Sequence, residues 1–217
     1  MKFTNIVTRL AAAAACAMSL IATNAYAMPT PAFNVDPYAL VTEDTSNFNI
    51  AVEFTANQAI TVDSLGYFFN TADVPGSHGV ALFDMSGNKL AETIVDASDI
   101  LLGNFRYGSI NAVNLLAGAS YRIVGLSNGE SYAWGAFSVT VDSAINYIHS
   151  GLSDVSDSAS PEFTDMSWGA QGDPLDSLWG PSLGFSLTQA EVPEPATYVL
   201  FIAGLGLLFI ARRRRSN

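Results

Sequence analysis

Apolar and polar residues alternate with a period of two along much of the chain between residues 28 and 190. Phe48, Ile50, Val52 and Phe54 alternate with Asn49, Ala51, Glu53 and Thr55. That is the pattern of a strand with one face in a core and the other toward solvent. Leu183, Phe185 and Leu187 alternate with Gly184, Ser186 and Thr188 in the same way. Further strands are predicted over 59–70, 78–85, 89–95, 105–115, 120–127, 131–139 and 145–150. No window in this stretch keeps a 3.6-residue apolar stripe, so no helix is expected there.

Turn chemistry separates the strands. Ser86-Gly87-Asn88 can supply positive φ between two apolar runs, and Asn128-Gly129 is a strong hairpin signal. In the run beginning at Ala59 the parity slips: Ile60 and Val62 share one face, Leu65, Tyr67 and Phe69 the other. Ser64 and Gly66 sit at the slip, which predicts a β-bulge. The expected class is all-β: a two-sheet antiparallel sandwich, jelly-roll-like or immunoglobulin-like in its connections.

Both flanks break the alternation. Lys2 and Arg9 precede an apolar run from Leu10 to Ala22, followed by Ala25 and Ala27 in small-x-small spacing. This is the layout of a signal peptide over 1–27, a helix removed by signal peptidase after Ala27. An amphipathic N-terminal helix would need a polar face, which the run lacks. At the other flank, Val192-Pro193-Glu194-Pro195 leads into the apolar run Ala196 to Ala211 and then Arg212, Arg213, Arg214 and Arg215. The prolines hold an extended segment that neither sheet nor helix can absorb. Sixteen apolar residues make a helix of about 24 Å, a little short of the ~30 Å hydrocarbon layer. As a transmembrane helix over 196–211 it would need flanking residues or local thinning. The arginines would stay cytoplasmic and leave the body outside.

This ordered triple over 191–217 resembles the PEP-CTERM sorting signal of Gram-negative bacteria: a Pro-Glu-Pro motif, a short span and a basic cluster. The resemblance implies that an exosortase, a cysteine transpeptidase-like membrane enzyme, cleaves near Pro193, Glu194 and Pro195. It also implies a final place at the cell surface or in the extracellular matrix. The motif residues and the arginines would then be substrate and topology features, not catalytic ones. The body, over Phe54 to Leu126, also resembles a recurring β-sandwich domain of these proteins. The residues that carry it include Ser64-Leu65-Gly66-Tyr67-Phe68, Phe105-Arg106-Tyr107 and Ala117-Gly118-Ala119-Ser120-Tyr121-Arg122. That resemblance implies no catalytic residues.

Charge sharpens the picture. Residues 28–190 hold three basic residues, Lys89, Arg106 and Arg122, against eighteen acidic ones, a net charge of −15. Such a surface repels phosphate backbones, which excludes nucleic acid as a partner, and it suits divalent cations. Cys16, the one cysteine, lies in the apolar core of the signal segment. The body is therefore without disulfides, thiolate metal sites or a cysteine nucleophile.

Candidate chemistry in the body is sparse. His78 and His149 are the two histidines, and there is no Gly-x-Ser-x-Gly elbow to start a serine-hydrolase triad. Paired carboxylates for glycosidase work arise by chance among eighteen acids. Asp154, Asp157, Asp173 and Asp176 crowd a loop-rich region that could take calcium, although their spacing is not that of an EF-hand and a solvated acidic loop is the commoner explanation. No other cofactor is implied. Trp168 and Trp179, with Trp134 and Tyr132, could form a sugar-stacking platform; the competing reading makes them core or loop anchors. The sequence thus describes a non-catalytic surface or matrix protein. The alternatives are a carbohydrate-binding module acting on exopolysaccharide and a hydrolase.

If residues 28–190 form an autonomous unit, a chain ending at Ala190 is expected to be soluble, monodisperse and cooperatively folded. Its thermal melt should match that of a chain ending at Pro195. A truncated chain that is insoluble, yet rescued by adding the tail in detergent, would show that Ala196 to Ala211 belongs to the core.

Overall fold

The computed structural model describes residues 28–41, 47–69, 76–129, 132–155 and 160–187. The expected signal helix with Ala25 and Ala27, the acid Asp157, and the whole sorting segment 191–217 lie outside the described residues. Among the described residues there are strands and no helix, in agreement with an all-β class.

In chain order the strands are β1 (Thr30–Pro31), β2 (Phe33–Val41), β3 (Phe48–Ala56), β4 (Ile60–Phe68), β5 (His78–Asp84), β6 (Lys89–Val95) and β7 (Ile100–Leu102). They continue with β8 (Phe105–Leu115), β9 (Ser120–Leu126), β10 (Tyr132–Val141), β11 (Ile145–Asp154), β12 (Ser167–Trp168), β13 (Leu178–Trp179) and β14 (Pro181–Leu187). They pair into three sheets: a front sheet in the order β1-β14-β4-β8-β7, a back sheet in the order β12-β11-β3-β9-β5-β6, and a side sheet in the order β13-β10-β2. Every pairing is antiparallel.

Three sheets stand where two were expected, and β2 explains the difference. Its Pro37 cannot donate to a ladder, which hides it from a strand reading and suits an edge position. β2 is indeed the edge of the side sheet, with Pro37 opposite Ala136 beside a register shift in β10. The side sheet is tied to the others by side chains: the Asn104 amide donates to the Val35 carbonyl (2.8 Å), and Trp179 of β13 packs on the Tyr147 ring of β11 (5.7 Å between centroids). β1, β7, β12 and β13 are two or three residues long, too short to establish a period.

The core lies between the front and back sheets. Ile50, Val52 and Phe54 of β3 are fully buried, as are Leu183 and Phe185 of β14. Leu187, expected inward with them, is 53% exposed because it ends its strand, and Phe48 at the start of β3 is half-buried. Tyr67 reaches from the front sheet to the back one. Its ring stacks on His78 (3.8 Å, 5°), and a Cβ on Gly125 would meet it at 2.8 Å. Only a glycine lets the two sheets close to that distance.

Two local expectations need correction. The bulge falls on Asp63, one residue before the predicted slip: Ser64 faces Gly184 and Val62 faces Phe185 on the neighbouring strand. Ser64 Oγ donates to Asp63 Oδ1 (3.0 Å), while burial holds the Asp63 carboxyl above its ordinary pKa. Asn128-Gly129 does carry two positive φ angles (57° and 72°), but β9 and β10 lie in different sheets. The turn carries the chain between sheets instead of closing a hairpin. It is fixed from outside, with the Asn128 amide N–H donating to the Asn47 side chain and Asn128 Nδ2 donating to the Ser77 carbonyl (both 2.9 Å). The Ser86-Gly87-Asn88 turn, by contrast, joins the paired strands β5 and β6 as expected.

Register can be checked by truncation. Leu183→Ala is expected to cost about 2–5 kcal/mol of unfolding free energy, and Leu187→Ala to stay within about 0.5 kcal/mol, both read from urea denaturation. The reverse order would mean the strand is set one residue off.

Candidate functional site

The alternation in β3 predicts that Asn49, Ala51 and Glu53 face solvent, yet all three are buried. They lie on the outward face of the back sheet, where residues 160–168 cross as a strap. One row of that face runs over five strands: His149, Glu53, Arg122, Phe83 and Lys89 are successive cross-strand neighbours. Arg122 donates Nε–H and Nη2–H to Glu53 Oε1 (2.9 and 2.6 Å). His149 donates Nε2–H to Glu53 Oε2 (2.7 Å).

The strap completes this cluster. Arg122 Nη1 donates to the Thr164 carbonyl (2.8 Å), and its guanidinium lies 3.8 Å from the Phe163 ring centroid and 4.9 Å from that of Trp168. Trp168 stacks on the His149 imidazole (4.0 Å, 8°). The next row, Gly151, Ala51, Val124 and Ala81, is small. It leaves the depth that Phe163, Met166 and Trp168 fill as a second apolar cluster. A Cβ on Gly151 would meet the Trp168 ring at 2.6 Å.

Chemically this arrangement is a clamp. Both oxygens of Glu53 accept from basic side chains, and the guanidinium is spent on Glu53 and the strap. His78 is also structural. It is buried against Tyr67 and donates Nδ1–H to the Leu126 carbonyl (2.9 Å). The two histidines therefore sit on different layers: His78 between the sheets, His149 outside them with a carboxylate and an indole as partners.

The strap edge forms one wall of an open groove of about 280 Å³. It lies between β10 and β13 of the side sheet and β11 and β12 of the back sheet. Tyr132, Trp134, Trp168, Ser167, Asp176 and Ser177 are among its lining residues. Trp134 is 57% exposed there. Behind the groove, Tyr147 and Ser177 share a hydroxyl–hydroxyl bond (2.5 Å), and Ser177 Oγ also contacts the Asp173 carbonyl (2.7 Å). Burial raises the Tyr147 phenol above its ordinary pKa, opposed by its hydrogen bonding with Ser177 and Ser150. Ser150 Oγ accepts from the Leu178 amide (2.8 Å).

The sequence candidates separate here. Trp168 reaches the groove. Trp179 does not: it is fully buried, packed on Phe33 and Tyr147, with its indole N–H donating to the Pro174 carbonyl (3.2 Å). It is a core anchor. Asp176 lines the groove, whereas Asp173 closes a turn by accepting from the Leu175 amide (3.0 Å), and Asp154 is exposed at the end of β11. Among the described residues, no three acidic, His or Cys side chains gather into a metal-binding group. The Glu53–Arg122 clamp was not foreseen. Its one sequence signal was a carboxylate and a guanidinium placed mid-strand in otherwise apolar segments.

Residues 191–215 match the family model described as the PEP-CTERM protein-sorting motif. No curated protein matches the chain.

Breaking the clamp on one side is expected to hurt most. Glu53→Gln leaves a buried guanidinium without its counter-charge, which typically costs about 3–5 kcal/mol. Glu53→Leu combined with Arg122→Met should recover most of that loss in denaturant titrations. A single substitution costing less than about 1 kcal/mol would show the cluster to be as weak as a surface ion pair.

Proposed function

We propose that the chain is an exported cell-surface or extracellular-matrix protein whose β-sandwich body does no catalysis. The observation that carries this reading is the match of residues 191–215 to the sorting motif, which marks an exosortase-targeted, exported protein. In this reading residues 1–27 leave with signal peptidase and residues 28–190 are the delivered body. Residues 191–217 form a temporary membrane tether over 196–211, held cytoplasmic-side by Arg212, Arg213, Arg214 and Arg215. The exosortase then cuts near Pro193-Glu194-Pro195.

The non-catalytic part rests on the polar groups of the body. Glu53, Arg122, His149 and His78 are each committed to packing and internal hydrogen bonds. A hydrolase would need a base that faces a cleft with a serine beside it, and the partners of His149 are Glu53 and Trp168. No cofactor is required for a structural or binding role. The carbohydrate-binding alternative is favoured by one observation, the exposed Trp134 in the same groove as Trp168.

Processing tests the reading. Protein recovered from the surface of the native host should begin at Met28 and lack Arg212 to Arg215 by terminal mass spectrometry. Cells without the exosortase should hold the uncut chain in the membrane. An intact arginine tail on surface material would leave a simple membrane anchor in place of a sorting signal.

A further inference from the structure

The groove beside the strap is a concave surface that the clamp does not consume. We propose that it binds a neutral polysaccharide chain, with Trp134 and Trp168 as apolar contacts and Asp176 as an acceptor for sugar hydroxyls. The proposal rests on the body being delivered to the cell surface, where such polymers are met.

Three observations narrow the ligand to this class. First, the groove offers side chains and little backbone. Four amides around it are already bonded internally: Gly135 and Ala136 to the carbonyls of Ser177 and Leu175, Gly169 to that of Ser150, and Leu178 to Ser150 Oγ (each 2.8 Å). A peptide that docks by adding a strand needs unpaired main-chain groups, so the groove recognises through indoles, hydroxyls and a carboxylate. Second, the body's net charge of −15, with Asp176 in the lining, repels polyanions. Third, Trp134 is exposed while Trp168 is held rigid. Trp168 is pinned on one side by the His149 stack and presses on Gly151. A fixed indole loses little side-chain freedom when a ligand arrives. A sugar ring, with an apolar C–H face and a rim of hydroxyls, matches an indole beside a carboxylate and serines. At about 280 Å³ the groove is at the lower bound of the roughly 300–1,000 Å³ of small-molecule clefts. It holds a short stretch of a polymer that enters and leaves through the open side.

The test uses the full chain in a zwitterionic detergent, so that no sugar headgroup competes. The probes are neutral hexaoses of glucose, mannose, galactose and N-acetylglucosamine, with a hexamer of galacturonic acid as the anionic comparison, each titrated by calorimetry. At least one neutral hexaose should bind. Trp134→Ala should weaken it by about tenfold or more, as loss of a Trp hot spot does, and Asp176→Asn by about threefold. Phe137→Ala removes a more exposed aromatic of β10 (68% exposed) that is not in the groove lining, and should leave affinity unchanged. Binding of no neutral hexaose, binding of the galacturonate alone, or undiminished binding by Trp134→Ala would each overturn the site. Tail processing in the host does not depend on this groove. Failed binding with correct processing therefore overturns the site alone, while failed processing with intact binding overturns the sorting reading alone.

Discussion

A guanidinium and a carboxylate on the outward side of a sheet cannot be buried unless the chain supplies a cover, and much of this body follows from that requirement. Desolvating two charges costs several kcal/mol each, recovered only when geometry and extra hydrogen bonds are good. Here Glu53 accepts from Arg122 and His149, and the remaining Arg122 nitrogen reaches the Thr164 carbonyl of the strap. The strap is thus bonded to the cluster it shields. Its aromatic side chains then fill the shallow row made by Gly151, Ala51, Val124 and Ala81. β3 and β9 become strands buried on both faces, which antiparallel strands seldom are.

The same constraint shapes the groove. Trp168 sits at the end of the strap, where it must cover His149 and pair through β12 with β11. This places an indole at the edge of the back sheet, facing the side sheet. Trp179, eleven residues on, is buried in the core, and Pro181 starts β14 just after it. Between the two, the chain is bonded to β10 through the Leu175 and Ser177 carbonyls and to β11 through the Gly172 amide, and it leaves the concavity that Trp134 borders. A structural demand on one face therefore produces the wall of a site on the adjoining edge.

How much of this was legible in the sequence depended on whether a signal was local. Strands β6 and β8 appear with the predicted ends because alternation and turn residues both lie within a dozen positions. The inward set Ile50, Val52, Phe54, Leu183 and Phe185 was legible for the same reason. The outward set is not legible in this way, because period-two alternation assigns one face to solvent by default, and nothing in 48–55 announces a strap more than a hundred residues later. Pro37 hides β2, and Asn128-Gly129 signals a hairpin that does not form, because turn geometry fixes the reversal but not the partner strand. For the site, the aromatic types were visible in the sequence. Their environments, which decide between anchor and platform, are tertiary facts.

The three tryptophans make that last point concrete. An indole can spend its area inside a core, as Trp179 does at full burial, or on a neighbouring ring, as Trp168 does on His149. Either use offsets the ordering of the side chain with apolar area removed from water. Trp134 does neither. It leaves most of its surface in water, on a body of net charge −15. A large aromatic held outward in a concavity and not on a convex face gains its burial only when something else enters. The physical asymmetry between Trp134 and the other two is what singles out the groove, and not the better-connected charge cluster, for the proposed binding.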